Sequence, residues 1–364
     1  MHVAQYLLHA PIQCIMRMMN NQLKLIPNNA EAYSSFEKEF RFSSLGNKLE
    51  NLEGKRVIFR TDYSKESVPL QSLSRPVTNY TSNCLRDFGN NPRDRTIASI
   101  DSSCALVGET DEGSIYAGRV ATVFAEGGSI QGYCRAGPVI IYLDPNTLSS
   151  SFSTGITKKI SNLILFDRAI AERYVRIYLE RRAQIQAAHS LSDSIIVADG
   201  ALRTSVLEQR ESSLKSVQDV CEENFNQLVG LSKTTSLRLV SNAVAELQSI
   251  QKSQVFVDLT NSIKALLPNC GSNRIVVAKF SPNSSVFRVD FSPSNGEEEG
   301  QILSDMKYND SFFRGYPETL RLAHHLSVLD SSTISSVRTY LARKYDLIQV
   351  PSDDLRATIL GKLV

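Results

Sequence analysis

Ile97-Ala98-Ser99-Ile100-Asp101-Ser102-Ser103-Cys104-Ala105-Leu106 is a run of apolar and small residues with one carboxylate, Asp101, in its middle. Its composition reads as a buried strand. Aspartate is depleted from strands because its short side chain competes for backbone hydrogen bonds and burial desolvates its charge. Asp101 therefore either has a partner, such as a cation or a set of donors, or lies at an edge facing water. A second carboxylate favours the first reading: Asp199 ends another apolar run, Ile195-Ile196-Val197-Ala198-Asp199-Gly200.

The chain between the two runs indicates how they are related. Glu109-Thr110-Asp111-Glu112-Gly113 is a turn by composition, and Ser114 to Ala125 alternates as a strand. Gly127-Gly128 makes the next turn. Ile130 to Leu143 supplies a third strand, interrupted at Gly137-Pro138. The period then changes: Ile170, Tyr174, Ile177, Tyr178 and Ile185 recur at helical spacing, which predicts a helix from about Phe166 to His189. Ile195 to Ala198 is continuously apolar, as a strand covered on both faces would be. An antiparallel meander, a helix and then a strand parallel to the first is the order of an RNase H-like α/β core, with Asp101 and Asp199 on adjacent strands. A mixed sheet flanked by helices is the expected architecture, with helical additions at both ends.

The later sequence predicts a strand at Leu228–Leu231, a helix over 236–251 and a hairpin from 274–280 and 285–291. Ser294 to Gly300, with Glu297-Glu298-Glu299, reads as an exposed loop whose acidic run is solvated. Two helices follow, one opening at Tyr316-Pro317 and one over 332–344. Residues 1–94 read as an N-terminal extension: an amphipathic helix over 1–21, one or two helices over 29–52, a short strand over 55–60, and loops and short pieces over 62–91. Residues 95–364 read as the RNase H-like domain with its C-terminal helices.

Composition narrows the function. Of 364 residues, 42% are hydrophobic and 21% charged, typical of a globular protein with a sizeable core. A net charge of +2 means that a polyanion would have to meet a local basic patch. Six cysteines lie far apart without CxxC spacing, so they read as free thiols in a reducing compartment, with neither a zinc site nor a disulfide framework. The first 21 residues lack a basic start and a cleavage site, and no stretch reaches transmembrane length. A cytoplasmic protein is expected.

Four motifs in order, Ile97–Ser103, Ile196-Val197-Ala198-Asp199-Gly200-Ala201-Leu202, Val229-Gly230-Leu231-Ser232-Lys233-Thr234-Thr235 and Gly315-Tyr316-Pro317-Glu318-Thr319-Leu320-Arg321-Leu322-Ala323-His324, resemble the NurA nuclease family over roughly residues 95–330. The resemblance implies a dimeric, manganese-dependent deoxyribonuclease on an RNase H-like core. It also implies action with a HerA-type hexameric ATPase in DNA end resection during homologous recombination and repair. Exonuclease and single-strand endonuclease action both fall within that expectation. Asp101 and Asp199 match the family's two strand aspartates, although Ser102 stands where glycine is usual and Ala201 where serine is common. The family's helix glutamate is assigned to Glu180, with Glu172 as its competitor. Tyr316 and His324 match the late Tyr-Pro and Ala-His elements. The implied metal set is Asp101, Glu180, Asp199 and His324, with manganese preferred to magnesium. Tyr316 and Lys233 are the implied DNA contacts.

Taken singly, most of these residues have plainer explanations. Asp199 could cap a helix or end a strand. Glu180 lies four residues after Arg176, as in an exposed helical ion pair. Tyr316 could be a hydrophobic staple, His324 a packed core residue and Lys233 a loop cation. The ordered set favours a site. Two other classes remain: an actin-like ATPase on the same core, and an inactive scaffold for the motor. The first wants glycine after the strand aspartate, and Gln227 and Ser232 occupy positions where a P-loop needs glycine.

Overall fold

The computed structural model describes residues 53–54, 56–57, 85–151, 157–233, 238–266, 273–292 and 296–349. The helices expected over 1–52 and the tail from 350 lie outside them. Two short strands, β1 (Arg56–Val57) and β13 (Ile348–Gln349), pair in parallel.

A nine-stranded sheet organises the rest. In chain order its strands are β2 (Leu85–Asp87), β3 (Ile97–Glu109), β4 (Ser114–Glu126), β5 (Ser129–Leu143) and β6 (Ile195–Asp199), then β7 (Gln227–Ser232), β8 (Val255–Asp258), β9 (Arg274–Lys279) and β10 (Phe287–Phe291). Their spatial order is β2-β8-β9-β10-β7-β6-β3-β4-β5. The meander β3-β4-β5 is antiparallel, and β6 lies parallel to β3 with Ile97 opposite Ile195 and Ile100 opposite Ala198. This is the RNase H-like arrangement predicted from the order of elements. β7 continues in parallel, and the remaining pairs are antiparallel.

Both faces of the central strands are covered. Along β3 the even positions Ala98 and Ile100 pack with Leu179, Ala183 and Ala187 of helix α3 (Arg168–Ser190). A Cβ on Gly118 of β4 would lie 2.5 Å from Leu179, so glycine permits this close approach. Ile97, Ile195, Val197 and Leu231 face the other way, with Ile302, Leu303 and Met306 of α7 (Glu299–Asn309) and Leu320 of α8 (Glu318–Ser327). Two-sided burial explains the unbroken apolar runs of β6 and β7. The other helices are α1 (Pro145–Ser151), α2 (Lys158–Phe166), α4 (Leu214–Glu223), α5 (Arg238–Ser249), α6 (Thr260–Leu266) and α9 (Ser331–Lys344).

Several expectations need correction. The helix predicted from Phe166 starts at Arg168, because Asp167 ends α2 and caps α3, accepting from the Ile170 N–H at 3.1 Å. β5 runs through Gly137-Pro138 without a break, and the ladder to β4 shifts register opposite it. Among the short pieces expected over 62–91 is β2, so the sheet draws strands from both sides of residue 95. Nor is the acidic run solvated throughout: Glu298 is exposed, but its two neighbours are paired. Glu297 binds Arg93 and Arg95, each at 2.9 Å, and Glu299 binds Arg274 at 2.8 Å. Glu299 opens α7, whose buried Ile302, Leu303 and Met306 contribute about 1.5–3 kcal/mol each. That outweighs the surface character of Glu297 and Glu299.

Candidate metal centre and active site

Odd positions of β3 face α8. Ser99 Oγ lies 2.6 Å from Thr319 Oγ1 in the first turn of α8, and Ser103 Oγ donates to the Ser327 carbonyl in its last turn. Asp101, between these two serines, places Oδ2 2.8 Å from His324 Nδ1. Polar contacts at both ends thus fix the register of α8 on β3, and with it the meeting of Asp101 and His324.

The start of α8 has its own anchor. Pro317 offers no side-chain cap, but buried Asp310 accepts the Thr319 N–H at 3.3 Å and its hydroxyl. Burial pushes the Asp310 carboxyl up to about 7, and the two Thr319 bonds oppose that rise. The folded state therefore holds this proton more tightly than the unfolded chain, where an aspartate titrates near 4. Asp310 thus contributes most to stability below about pH 4, and that contribution falls as pH rises toward 7. Urea midpoints of Asp310→Asn are expected to lose this part of the pH dependence between pH 5 and 8; a parent-like profile would contradict the assignment.

Asp199 ends β6 beside Asp101. Gly200 follows at φ 115, a conformation that favours glycine, and its N–H binds the Leu231 carbonyl at 2.8 Å. Gly230 of β7 lets this turn approach, since a Cβ there would stand 2.5 Å from the Gly200 carbonyl oxygen. Asp199 Oδ2 accepts from Lys233 Nζ at 2.9 Å, and Oδ1 accepts from the Tyr316 hydroxyl at 3.3 Å. Lys233 Nζ also lies 4.9 Å from the Tyr316 ring centroid. Burial, reinforced by the charges of Asp199 and Asp101, pushes the Tyr316 phenol far above its ordinary range, so it remains a donor.

Asp101, Asp199 and His324 each offer one ligand atom, all within 4.8 Å of one another. Exposure grades outward, with the Asp101 side chain 2% exposed and that of His324 52%. The partners of Asp101 are the Ser102 N–H at 2.8 Å and His324, so no lysine or arginine among the described residues neutralises this buried carboxylate. Two carboxylates and an imidazole form a donor set that fits a divalent cation.

Glu180 stands outside this group. Ser102 faces α3, and its hydroxyl donates to Glu180 Oε1 at 2.7 Å, while Arg176 Nη2 lies 3.6 Å away. Burial raises the Glu180 carboxyl; Arg176 and Ser102 oppose this, and Asp101 adds to it. Glu172 instead pairs with Arg168 at 2.8 Å. Of the two candidate glutamates, Glu180 is the one linked to Asp101, through Ser102. His325 is exposed, with its ring centroid 5.9 Å from that of His324, and does not join the group. The sequence reading missed Ser102, Asp310 and Thr319. The serine that replaces the family's usual glycine was the available signal for the first. Nothing local marks the other two.

Fold and site together define an RNase H-like α/β protein with a two-aspartate, one-histidine cluster suited to a divalent metal. The chain belongs to the NurA family, whose domain model matches residues 95–329. Among solved structures it is similar to the NurA nuclease from Sulfolobus solfataricus, at 11% identity over 93% of this chain and 98% of that one, with a TM-score of 0.42. A NurA structure with manganese is 9% identical over 92% of this chain and 100% of that one, with a TM-score of 0.40. One bound to dAMP and manganese is 10% identical over 67% and 87%, also with a TM-score of 0.40. No curated protein matches the sequence significantly. No helix among the described residues is long and apolar enough to cross a membrane.

Proposed function

We propose that this chain is a metal-dependent deoxyribonuclease that hydrolyses phosphodiester bonds at DNA ends. The convergence of Asp101, Asp199 and His324 within 4.8 Å carries the reading, and family membership supports it. These three residues would hold the metal, with Glu180 beside them. When bound, such an ion activates water and stabilises charge developing on the scissile phosphate. The protein's own groups have separate tasks. Lys233 offsets the negative charge of Asp199 and can meet a phosphate. Tyr316, a protonated donor, orients Asp199 and presents its ring toward a nucleotide. Phosphate contact and stacking suffice for cleavage without base readout.

Manganese is the preferred ion in this proposal. A homodimer and a HerA-type hexameric ATPase complete the end-resecting machine, in which the motor feeds strands to the nuclease. Lys233 supports this division of labour: it follows a buried strand and pairs with Asp199, where a P-loop lysine would hold nucleotide phosphates. Incubating end-labelled linear DNA with the purified protein tests the proposal. Slow cleavage is expected with manganese, none with a chelator, and no change on adding ATP. Cleavage that persists in chelator, or no cleavage with any divalent ion, would contradict it. Processive degradation of kilobase duplexes by this chain alone would contradict the role of the motor.

A further inference from the structure

The chain between α7 and α8 forms a two-stranded hairpin, β11 (Phe312–Phe313) and β12 (Tyr316–Pro317), where the sequence predicted only a helix start. Phe313 pairs directly with Tyr316. Arg314 and Gly315 make the turn at φ 52 and 82, two positive values that match the tight twist of a two-residue hairpin. The tip is fixed: a Cβ on Gly315 would lie 2.6 Å from Ser284 Oγ, and the Ser285 N–H donates to the Arg314 carbonyl at 3.2 Å. Asparagine or glycine is the usual residue at the first turn position, yet an arginine is held there.

The two phenylalanines have different surroundings. Phe312 stacks on the buried Phe280 at 4.6 Å between centroids. Phe313 is 55% exposed, with the guanidinium carbons of Arg314 and Arg321 at 5.4 and 5.5 Å from its centroid. Glu318 pairs with Arg321 and neutralises it, whereas Arg314 has no carboxylate partner among the described residues. An exposed aromatic ring with an uncompensated arginine, one cross-strand pair from the tyrosine on Asp199, matches the chemistry of single-strand binding surfaces.

We propose that Phe313 and Arg314 form a nucleotide subsite beside the metal centre, where an unpaired base stacks on the Phe313 ring and its phosphate meets Arg314. The subsite deepens the nuclease reading on which it rests, and it selects single-stranded or frayed ends, because inside a duplex stacked neighbours cover both faces of each base. Binding of labelled dT15 to the full chain in chelator, followed by anisotropy, tests it apart from cleavage. Phe313→Ala is expected to weaken binding about tenfold and Phe313→Trp to restore it, with blunt duplex affinity unchanged in both. Arg314→Asn, which suits the turn, should weaken binding and reduce the slope of log affinity against log salt by about 0.7. Melting temperatures confirm that each variant is folded. Parent-like dT15 affinity in folded Phe313→Ala, or no dT15 binding by the parent, overturns the subsite. If the parent cleaves DNA in that case, the nuclease reading survives and Phe313 becomes a protein-contact residue. If binding depends on Phe313 but nothing is cleaved, the subsite stands and the nuclease reading falls.

Discussion

Asp101→Asn is expected to abolish manganese-supported cleavage while leaving the melting temperature near that of the parent. Asparagine keeps the size of the side chain and an oxygen to accept from the Ser102 N–H, while its amide N–H2 faces His324 Nδ1, which accepts in its other tautomer. What it removes is a negative charge from a side chain 2% exposed, the most buried member of the cluster. A metal centre supplies several kcal/mol of charge stabilisation, and each 1.36 kcal/mol is tenfold in rate. A loss of roughly a thousandfold or more follows. Asp199→Asn should fall in the same range, since the amide oxygen can still accept from Lys233 and the Tyr316 hydroxyl can accept from the amide N–H2. Single-turnover cleavage by folded variants measures both. A rate within tenfold of the parent would remove that residue from the centre.

The second large effect separates two adjacent histidines. His324→Ala is expected to cut the manganese-supported rate strongly, and His325→Ala to change it little. Successive side chains on a helix diverge by about 100°, so only one of the pair faces β3. That one is His324, whose Nδ1 meets Asp101. A purely carboxylate site would suit magnesium, which prefers oxygen and keeps its waters. An imidazole shifts the balance toward manganese, which accepts nitrogen more readily. The parent should therefore work better with manganese, and His324→Ala should narrow the gap between the two ions. Titrating each metal against the three proteins is the check. Equal activity of the parent with both ions, or a larger loss in His325→Ala, would contradict the ligand assignment.

How much of this was visible in the sequence depends on how local the signal is. The meander and the strand beside it announce themselves by alternation, tight turns and an unbroken apolar run, and Asp101 is conspicuous because aspartate does not belong in a buried strand. The neighbouring positions of Asp101 and Asp199 followed from topology alone. Non-local pairings were not legible. Glu297-Glu298-Glu299 reads as surface because its arginine partners, Arg93, Arg95 and Arg274, lie far away in sequence or beyond an intervening hairpin. Asp310 reads as a loop acid, although it anchors the helix that carries His324. Glu180 resembles a surface i,i+4 partner of Arg176; only the fold shows Ser102 joining it to the Asp101 strand. The hairpin at Phe313-Arg314-Gly315-Tyr316 did leave a local trace, a glycine-containing two-residue turn between aromatics. The Tyr316-Pro317 helix-start signal next to it masked that trace.

The central claim is that Asp101, Asp199 and His324 hold one divalent ion between β3, β6 and α8. Pulsed electron paramagnetic resonance of manganese bound to the full chain tests it most directly, because coupling to nitrogen-14 reports an imidazole in the coordination sphere. The account predicts a nitrogen coupling in the parent and in His325→Ala, its loss in His324→Ala, and sharply weakened manganese binding in Asp101→Asn. A coupling that survives in His324→Ala, or manganese affinity unchanged in Asp101→Asn, would contradict it.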